Sequence, residues 1–279
     1  MTRALAVGLA LALSPAALVA QVPMAGPFAL DAVPTQGGVA RGIAPAGTRT
    51  LTLGPVAVPV APDGRFLIAF DRDAAPAMDL LATLADGRTV RQVLTVAPRA
   101  WRIERLDTLA RGTQPTEAFT RRRAPELAQI AAARAVDRPS DGWRQRFVWP
   151  ATGRISGLFG SQRIYKGEPG AYHSGVDVAR PTGTPIVAPA DGVVALAADA
   201  PFTLEGNLLM LDHGAGLVSA FLHLSRIDVK PGERVRQGQV IGAIGATGRA
   251  TGPHLHWGMT WRGSRIDPLL VAGAMRNGS

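Results

Sequence analysis

Thr251-Gly-Pro-His-Leu-His-Trp-Gly-Met259 sets two histidines on either side of one leucine, in a run that otherwise suits a buried strand. Successive side chains of a strand point to opposite faces, so His254 and His256 share one face while Leu255 and Trp257 take the other. The apolar pair belongs against a core. That leaves two imidazoles side by side on a rigid element. Alone, the tripeptide has two readings: surface histidines on an edge strand, or two donors to one site.

The other histidines bear on that choice. The 279 residues contain five, His173, His213, His223, His254 and His256, all in the C-terminal part. His173-Ser-Gly-Val-Asp177 puts a carboxylate four residues after an imidazole. In Phe221-Leu-His-Leu224, period-2 alternation sends Leu222 and Leu224 to the face opposite His223, which then projects where a core strand has no use for it. Zinc takes histidine nitrogen and aspartate oxygen, and a catalytic zinc keeps three protein ligands plus water. No HExxH helix is present, and the lack of cysteine excludes thiolate sites. His213, in Leu211-Asp-His-Gly214 at a strand end before a glycine turn, reads as structural.

HSGVD, FLHLS and GPHLHW, in this order and spacing, resemble the motifs of the lysostaphin-type zinc endopeptidases of peptidoglycan, metallopeptidase family twenty-three. The resemblance covers roughly residues 147 to 270. It includes Ser156-Gly-Leu-Phe-Gly160, the run Gly183–Gly192 and Gly242-Ala-Ile-Gly-Ala-Thr-Gly248. It implies a zinc ion held by His173, Asp177 and His256, with His223 and His254 as catalytic histidines. The implied activity is cleavage of peptide cross-links by metal-activated water, with D-Ala–diaminopimelate the expected bond and peptidoglycan peptide stems the partner. The implied fold is a duplicated-hybrid-motif β-barrel or sandwich. One departure is Phe221, where the family commonly has tyrosine. The competing reading is a non-catalytic, wall-binding activator of a peptidoglycan amidase, for which a complete ligand set is not needed. A lipoyl- or biotinyl-carrier domain is a third, since Val229–Gly242 is punctuated by glycine turns, but Lys230 before Pro231 is no modifiable hairpin tip.

Upstream, the pattern stays mainly β. Val56, Val58 and Val60 alternate before Pro62-Asp-Gly64, and Phe66, Ile68 and Phe70 alternate after it, predicting a hairpin. A second hairpin is predicted over 82–96 around Asp86-Gly87. Residues 21–98 thus read as a small Ig-like sandwich. Residues 99–146 read as a linker with one helix over 125–135, Pro125 in its first turn and Leu127, Ile130 and Ala131 as its apolar stripe. The catalytic domain is expected over 147–279, with hairpins around Ala190-Asp-Gly192 and His213-Gly-Ala-Gly216.

Residues 1–20 read as a secretory signal peptide: one Arg, an apolar run from Ala4 to Leu13, then Ser14-Pro15 and small residues up to Ala20. An uncleaved anchor is the other reading of that run. No later segment is long and apolar enough to span a membrane. The expected location is the periplasm or outside the cell. Thirty Lys+Arg against 21 Asp+Glu give a net charge of +9, which suits an acidic polymer such as a carboxylate-bearing wall, or simply solubility. No aromatic–basic interleaving supports a nucleic-acid partner. Nothing in the sequence fixes the oligomeric state; a monomer is expected.

Overall fold

The computed structural model describes residues 26–109 and 115–275, so the signal-peptide reading of residues 1–20 lies outside the described residues. Within them the protein is mainly β. The first strands are β1 (Val39–Ile43), β2 (Thr48–Leu53), β3 (Val56–Ala57), β4 (Arg65–Ala69), β5 (Ala77–Leu84) and β6 (Thr89–Thr95). They form a sheet ordered β3-β2-β5-β6 and a ribbon of β1 with β4. The hairpin at Asp86-Gly87 forms, with Gly87 at φ +85° and β5 paired to β6 from Ala77↔Thr95 to Thr83↔Thr89. The turn at Pro62-Asp63-Gly64 forms too, but its arms part after one bridge, Val60↔Phe66, and β4 pairs with β1. The cause is in the sequence of β4. Phe66, Leu67, Ile68, Ala69 and Phe70 are all buried, and a strand covered on both faces belongs between layers rather than in a half-exposed hairpin.

β7 (Ile103–Leu106) and helix α1 (Glu117–Ala135) follow. The helix starts well before Pro125. Thr116 caps it, its hydroxyl accepting from the Phe119 N–H at 3.1 Å, and Arg121 pairs with Glu117 one turn on. Pro125 therefore lies inside the helix. The buried positions are Ile130 and Ala133, packed with Phe202, Leu208, Met210 and Val218, whereas Leu127 is half exposed. The apolar stripe follows the sheet the helix lies on, not the spacing alone.

The remaining strands are β8 (Arg154–Gly157), β9 (Gln162–Tyr165), β10 (Glu168–Pro169), β11 (Gly175–Ala179), β12 (Pro185–Val187), β13 (Gly192–Ala197), β14 (Asn207–Asp212), β15 (Leu217–Leu224), β16 (Arg226–Ile227), β17 (Arg234–Val235), β18 (Val240–Ala243), β19 (His254–Trp261) and β20 (Ser264–Ile266), before the short helix α2 (Pro268–Ala272). The main sheet runs β17-β13-β14-β15-β19-β11-β8, with β20 beside β19. A smaller sheet, β12-β18-β16, buries Ile186 and Ile241 in the same core. The predicted hairpin at Ala190-Asp-Gly192 does not close, because β12 pairs with β18 while β13 pairs with β14 and β17. β7 runs parallel to β9, so residues 103–106 are built into a three-stranded sheet with β9 and β10. Leu255, Trp257, Met259 and Trp261 of β19 are all buried on the core face, as the alternation requires. α1 lies over the opposite face.

Candidate metal centre

β11 and β19 are antiparallel neighbours whose register sets Asp177 opposite His256. Cross-strand partners project from the same face of a sheet, so the two side chains meet. His173 comes from the loop ahead of β11. Its N–H donates to Ser161 O and its carbonyl accepts from the Gly160 N–H, each at 2.8 Å, which pins the loop at both groups. His173 Nε2 lies 3.1 Å from Asp177 Oδ1 and 3.0 Å from His256 Nδ1. His256 Nδ1 lies 2.9 Å from the same Asp177 oxygen. Three ligand-type atoms from separate segments thus lie within 4.8 Å of one another.

The chemistry of these donors fits a cation. His173 Nδ1 is 3.0 Å from Leu158 O, and a carbonyl only accepts, so Nδ1 carries the hydrogen and Nε2 presents a lone pair. That lone pair faces a carboxylate oxygen and a second imidazole nitrogen, an arrangement that needs a proton or a metal ion between them. Burial opposes charge on Asp177, but hydrogen bonds to His173 and His256 outweigh it and hold the carboxyl far below its usual range. Burial also opposes charge on His173, yet the Asp177 hydrogen bond and its charge raise that imidazole's pKa. Burial dominates at His256 and lowers it. An ionised carboxylate with two imidazole nitrogens is a donor set suited to a divalent ion such as zinc. Two glycines make room for the donor side chains. A Cβ on Gly157 would collide with Asp177 Oδ2, and one on Gly175 would stand 2.7 Å from His256 Nε2.

The two further histidines sit beside this group. The His254 ring lies 4.8 Å from that of His223, which is 6.3 Å from that of His256. His254 Nδ1–H donates to Gly252 O at 2.8 Å and His223 Nδ1–H to Thr247 O at 2.9 Å, leaving each Nε2 with its lone pair. His254 Nε2 is 3.9 Å from Asp177 Oδ1. Burial lowers the His223 pKa.

His223 reaches the site by a different route from the one its sequence suggests. Its φ is +63°, a left-handed conformation rare outside glycine. Pairing shifts register there: Phe221 faces Leu209 and Leu224 faces Asn207, so Leu222 and His223 together oppose Leu208. This β-bulge resets the alternation. Phe221 and Leu224 both enter the main core, while Leu222 packs on the side of α1. Leu222 and Leu224 therefore do not share a face. The bulge turns towards His254 and His256 an imidazole that strict alternation from Phe221 would have set on the core face.

His213 stands apart. It is fully buried against Phe147, with ring centroids 4.9 Å apart, and its nitrogens meet Asp191 O and Ser219 Oγ.

Several neighbours gave no signal in the sequence. Arg72 is nearly buried; its Nε donates to Gly160 O at 3.1 Å, and its guanidinium lies 4.7 Å from the Tyr172 ring centroid. It braces the loop that carries His173 from the N-terminal strands. Arg123 of α1 pairs with Glu126 at 2.7 Å and with Glu205 at 2.6 Å.

A model described as peptidase family M23 matches residues 171–268, which include every histidine and Asp177. Over 126 residues the chain is 40% identical to peptidoglycan DD-endopeptidase ShyA of Vibrio cholerae serotype O1, covering 45% of this chain and 29% of that protein. Peptidoglycan DD-endopeptidase ShyC of the same organism is 37% identical over 149 residues, 53% of this chain and 30% of that one. The chain thus spans under a third of the length of these curated relatives. A solved structure from Pseudomonas aeruginosa, assigned to peptidase M23, superposes with a TM-score of 0.67 at 30% identity, covering 87% of this chain and 96% of the other. This chain belongs to peptidase family M23.

In this M23 member His256, one of the three donors, lines a groove of about 210 Å³ between α1 and the main sheet. Arg123, Ile130 and Arg134 of α1 form one wall, and His256, Gly258 and Thr260 of β19 form part of the floor.

Proposed function

We propose that this chain is a zinc-dependent endopeptidase that cleaves peptide cross-links of peptidoglycan. The observation that carries the reading is the convergence of His173, Asp177 and His256 on a common point, with His223 and His254 beside them. A non-catalytic wall-binding activator has no need of all five. His173, Asp177 and His256 would hold the ion, their Nε2, Oδ1 and Nδ1 atoms being the ones that face one another. Zinc, when bound, polarises a carbonyl and lowers the pKa of water towards neutrality.

The rest of the chemistry falls to the chain's own groups. His223 and His254 are each held through Nδ1 by a backbone carbonyl, so their Nε2 atoms keep a fixed aim. One Nε2 accepts a proton from the attacking water and returns it to the leaving amine. The other, protonated, donates to the oxyanion of the tetrahedral intermediate, a role whose loss typically costs about 10²–10³ in rate. The loop carrying His173, braced by Arg72, fixes one ligand against the sheet that carries the others.

The names of the two Vibrio cholerae relatives support peptidoglycan as the substrate; the peptide stems are then the binding partner, and the bond proposed is D-Ala–diaminopimelate, as the motif resemblance implies. A net charge of +9 favours approach to a wall rich in carboxylates. Action in the periplasm or outside the cell follows from that substrate and from the leader-like residues 1–20. No helix among the described residues is long and apolar enough to cross a membrane. Digestion of purified sacculi, with released muropeptides identified by mass, tests the proposal. Cross-linked dimers should fall and monomers rise, and chelator should stop the change. Unaltered dimers in the presence of zinc would contradict it.

A further inference from the structure

We infer that Arg134 and Arg265 form a carboxylate-binding subsite beside the metal centre, which receives a free carboxylate of the peptide substrate. The inference rests on the function proposed above and names what the groove selects. Both arginines line the groove that contains His256. They reach it from two independently braced elements. Arg134 stands in the last turn of α1, next to Ala133, which with Ile130 anchors the helix on the sheet. Arg265 lies on β20 directly opposite Thr260 of β19. Thr260 is on the same face as His256, four residues away along one strand, so its cross-strand partner faces that way too. Gly258 lies between them and leaves the floor without a side chain.

The charges in the groove are unbalanced. Its carboxylate, Glu205, is taken by Arg123, with contacts of 2.5 and 2.6 Å. Asp71 near β20 accepts from the backbone N–H of Arg265 at 2.7 Å and from Tyr172 OH at 3.3 Å. Among the described residues neither the Arg134 nor the Arg265 guanidinium has an ion pair; Arg265 lies over the Tyr172 ring, 5.1 Å from its centroid. Both residues are exposed; the Arg265 charge opposes that of Arg134 across the groove, and Glu205, already shared with Arg123, offsets that repulsion only in part. An anion between them removes that repulsion. Guanidinium forks match carboxylates in two-point geometry, and peptide stems carry free carboxylates.

The test is calorimetric titration of the full chain with the uncross-linked stem tetrapeptide L-Ala–γ-D-Glu–diaminopimelate–D-Ala and with the same peptide amidated at its carboxylates. Each is run on protein as purified and after chelator treatment, which removes any carboxylate–metal contact. Amidation should weaken binding about tenfold in both arms. Arg134→Gln and Arg265→Gln should each weaken binding of the acid peptide by a similar factor, and amidation should then cost the variants little more. Equal affinity for acid and amide, equal losses for both peptides in the variants, or no binding of the acid peptide would overturn the subsite. The two readings separate cleanly. Protein that digests sacculi without an amidation penalty keeps the hydrolase and loses the subsite, and the reverse result keeps the subsite alone.

Discussion

His213 and His223 lie at opposite ends of the β14–β15 hairpin, both buried, both donating Nδ1–H to a backbone carbonyl at 2.8 and 2.9 Å. They differ in what the second nitrogen meets. His213 Nε2 takes the Ser219 hydroxyl at 2.9 Å, and Ser219 Oγ in turn accepts from Trp257 Nε1 at 3.2 Å, so every polar group in that chain is satisfied. His223 Nε2 has no protein partner among the described residues and faces two other imidazoles. Backbone conformation differs as well, since His223 alone of the pair has a positive φ. Saturation marks a histidine that holds structure. An open nitrogen, a neighbouring metal-type donor set and local strain mark one placed for chemistry.

The contrast can be broken by substitution. The largest effect is expected at the metal centre. His256→Ala should remove both bound metal and detectable hydrolysis, read as metal content and muropeptide release. His223→Asn should lower hydrolysis at least about 10²-fold while bound metal stays near wild type. Asparagine tolerates the left-handed conformation, so the melting temperature should move only slightly; a large drop would show that His223 is structural after all.

At the other end of the hairpin the expectations reverse. His213→Ala should keep its metal yet lose about 2–4 kcal/mol of stability, because it leaves a cavity and unpaired groups in the core. Its titration gives a second handle. Burial pushes the His213 pKa down from 6.5 to about 4. The unfolded chain therefore takes up the proton first as pH falls, so this residue's contribution to stability is lost between about pH 6.5 and pH 4. The loss amounts to about 3 kcal/mol at most. Chemical denaturation at several pH values should show a smaller acid loss in His213→Ala than in wild type. An identical slope in both would remove His213 as a source of acid sensitivity.

A smaller effect sharpens the same comparison from the backbone side. Gly157→Ala introduces a Cβ against Asp177 Oδ2. It should weaken metal binding about tenfold with little effect on the His213 end of the sheet, measured by competition with a chromogenic chelator. Unchanged metal affinity would mean the carboxylate has room to move.

The candidate site residues were legible because each sits in a short motif, and for His254 and His256 the strand period also fixes the direction. His254, His256, Leu255 and Trp257 behave as alternation predicts. His223 does not, because a bulge opposite Leu208 depends on pairing with β14 and leaves no local signature. The hairpin at Asp86-Gly87 was readable from turn chemistry, whereas the partners of β4 and β12 were not, since a turn specifies a reversal and not which strand lies alongside. Thr116 and Glu117 are a legible cap and first turn for α1, but Pro125 is equally suited to a first turn and so hides the true start from sequence alone. Arg72, Arg123, Arg134 and Arg265 gave no signal, since long-range contacts alone give them their places.

We propose that His173, Asp177 and His256 hold one metal ion that hydrolysis requires. Zinc content per chain, measured by mass spectrometry on dialysed wild type, His256→Ala and His223→Asn, tests it most directly. Wild type and His223→Asn should carry about one ion each and His256→Ala almost none. One tightly held zinc in His256→Ala would contradict it.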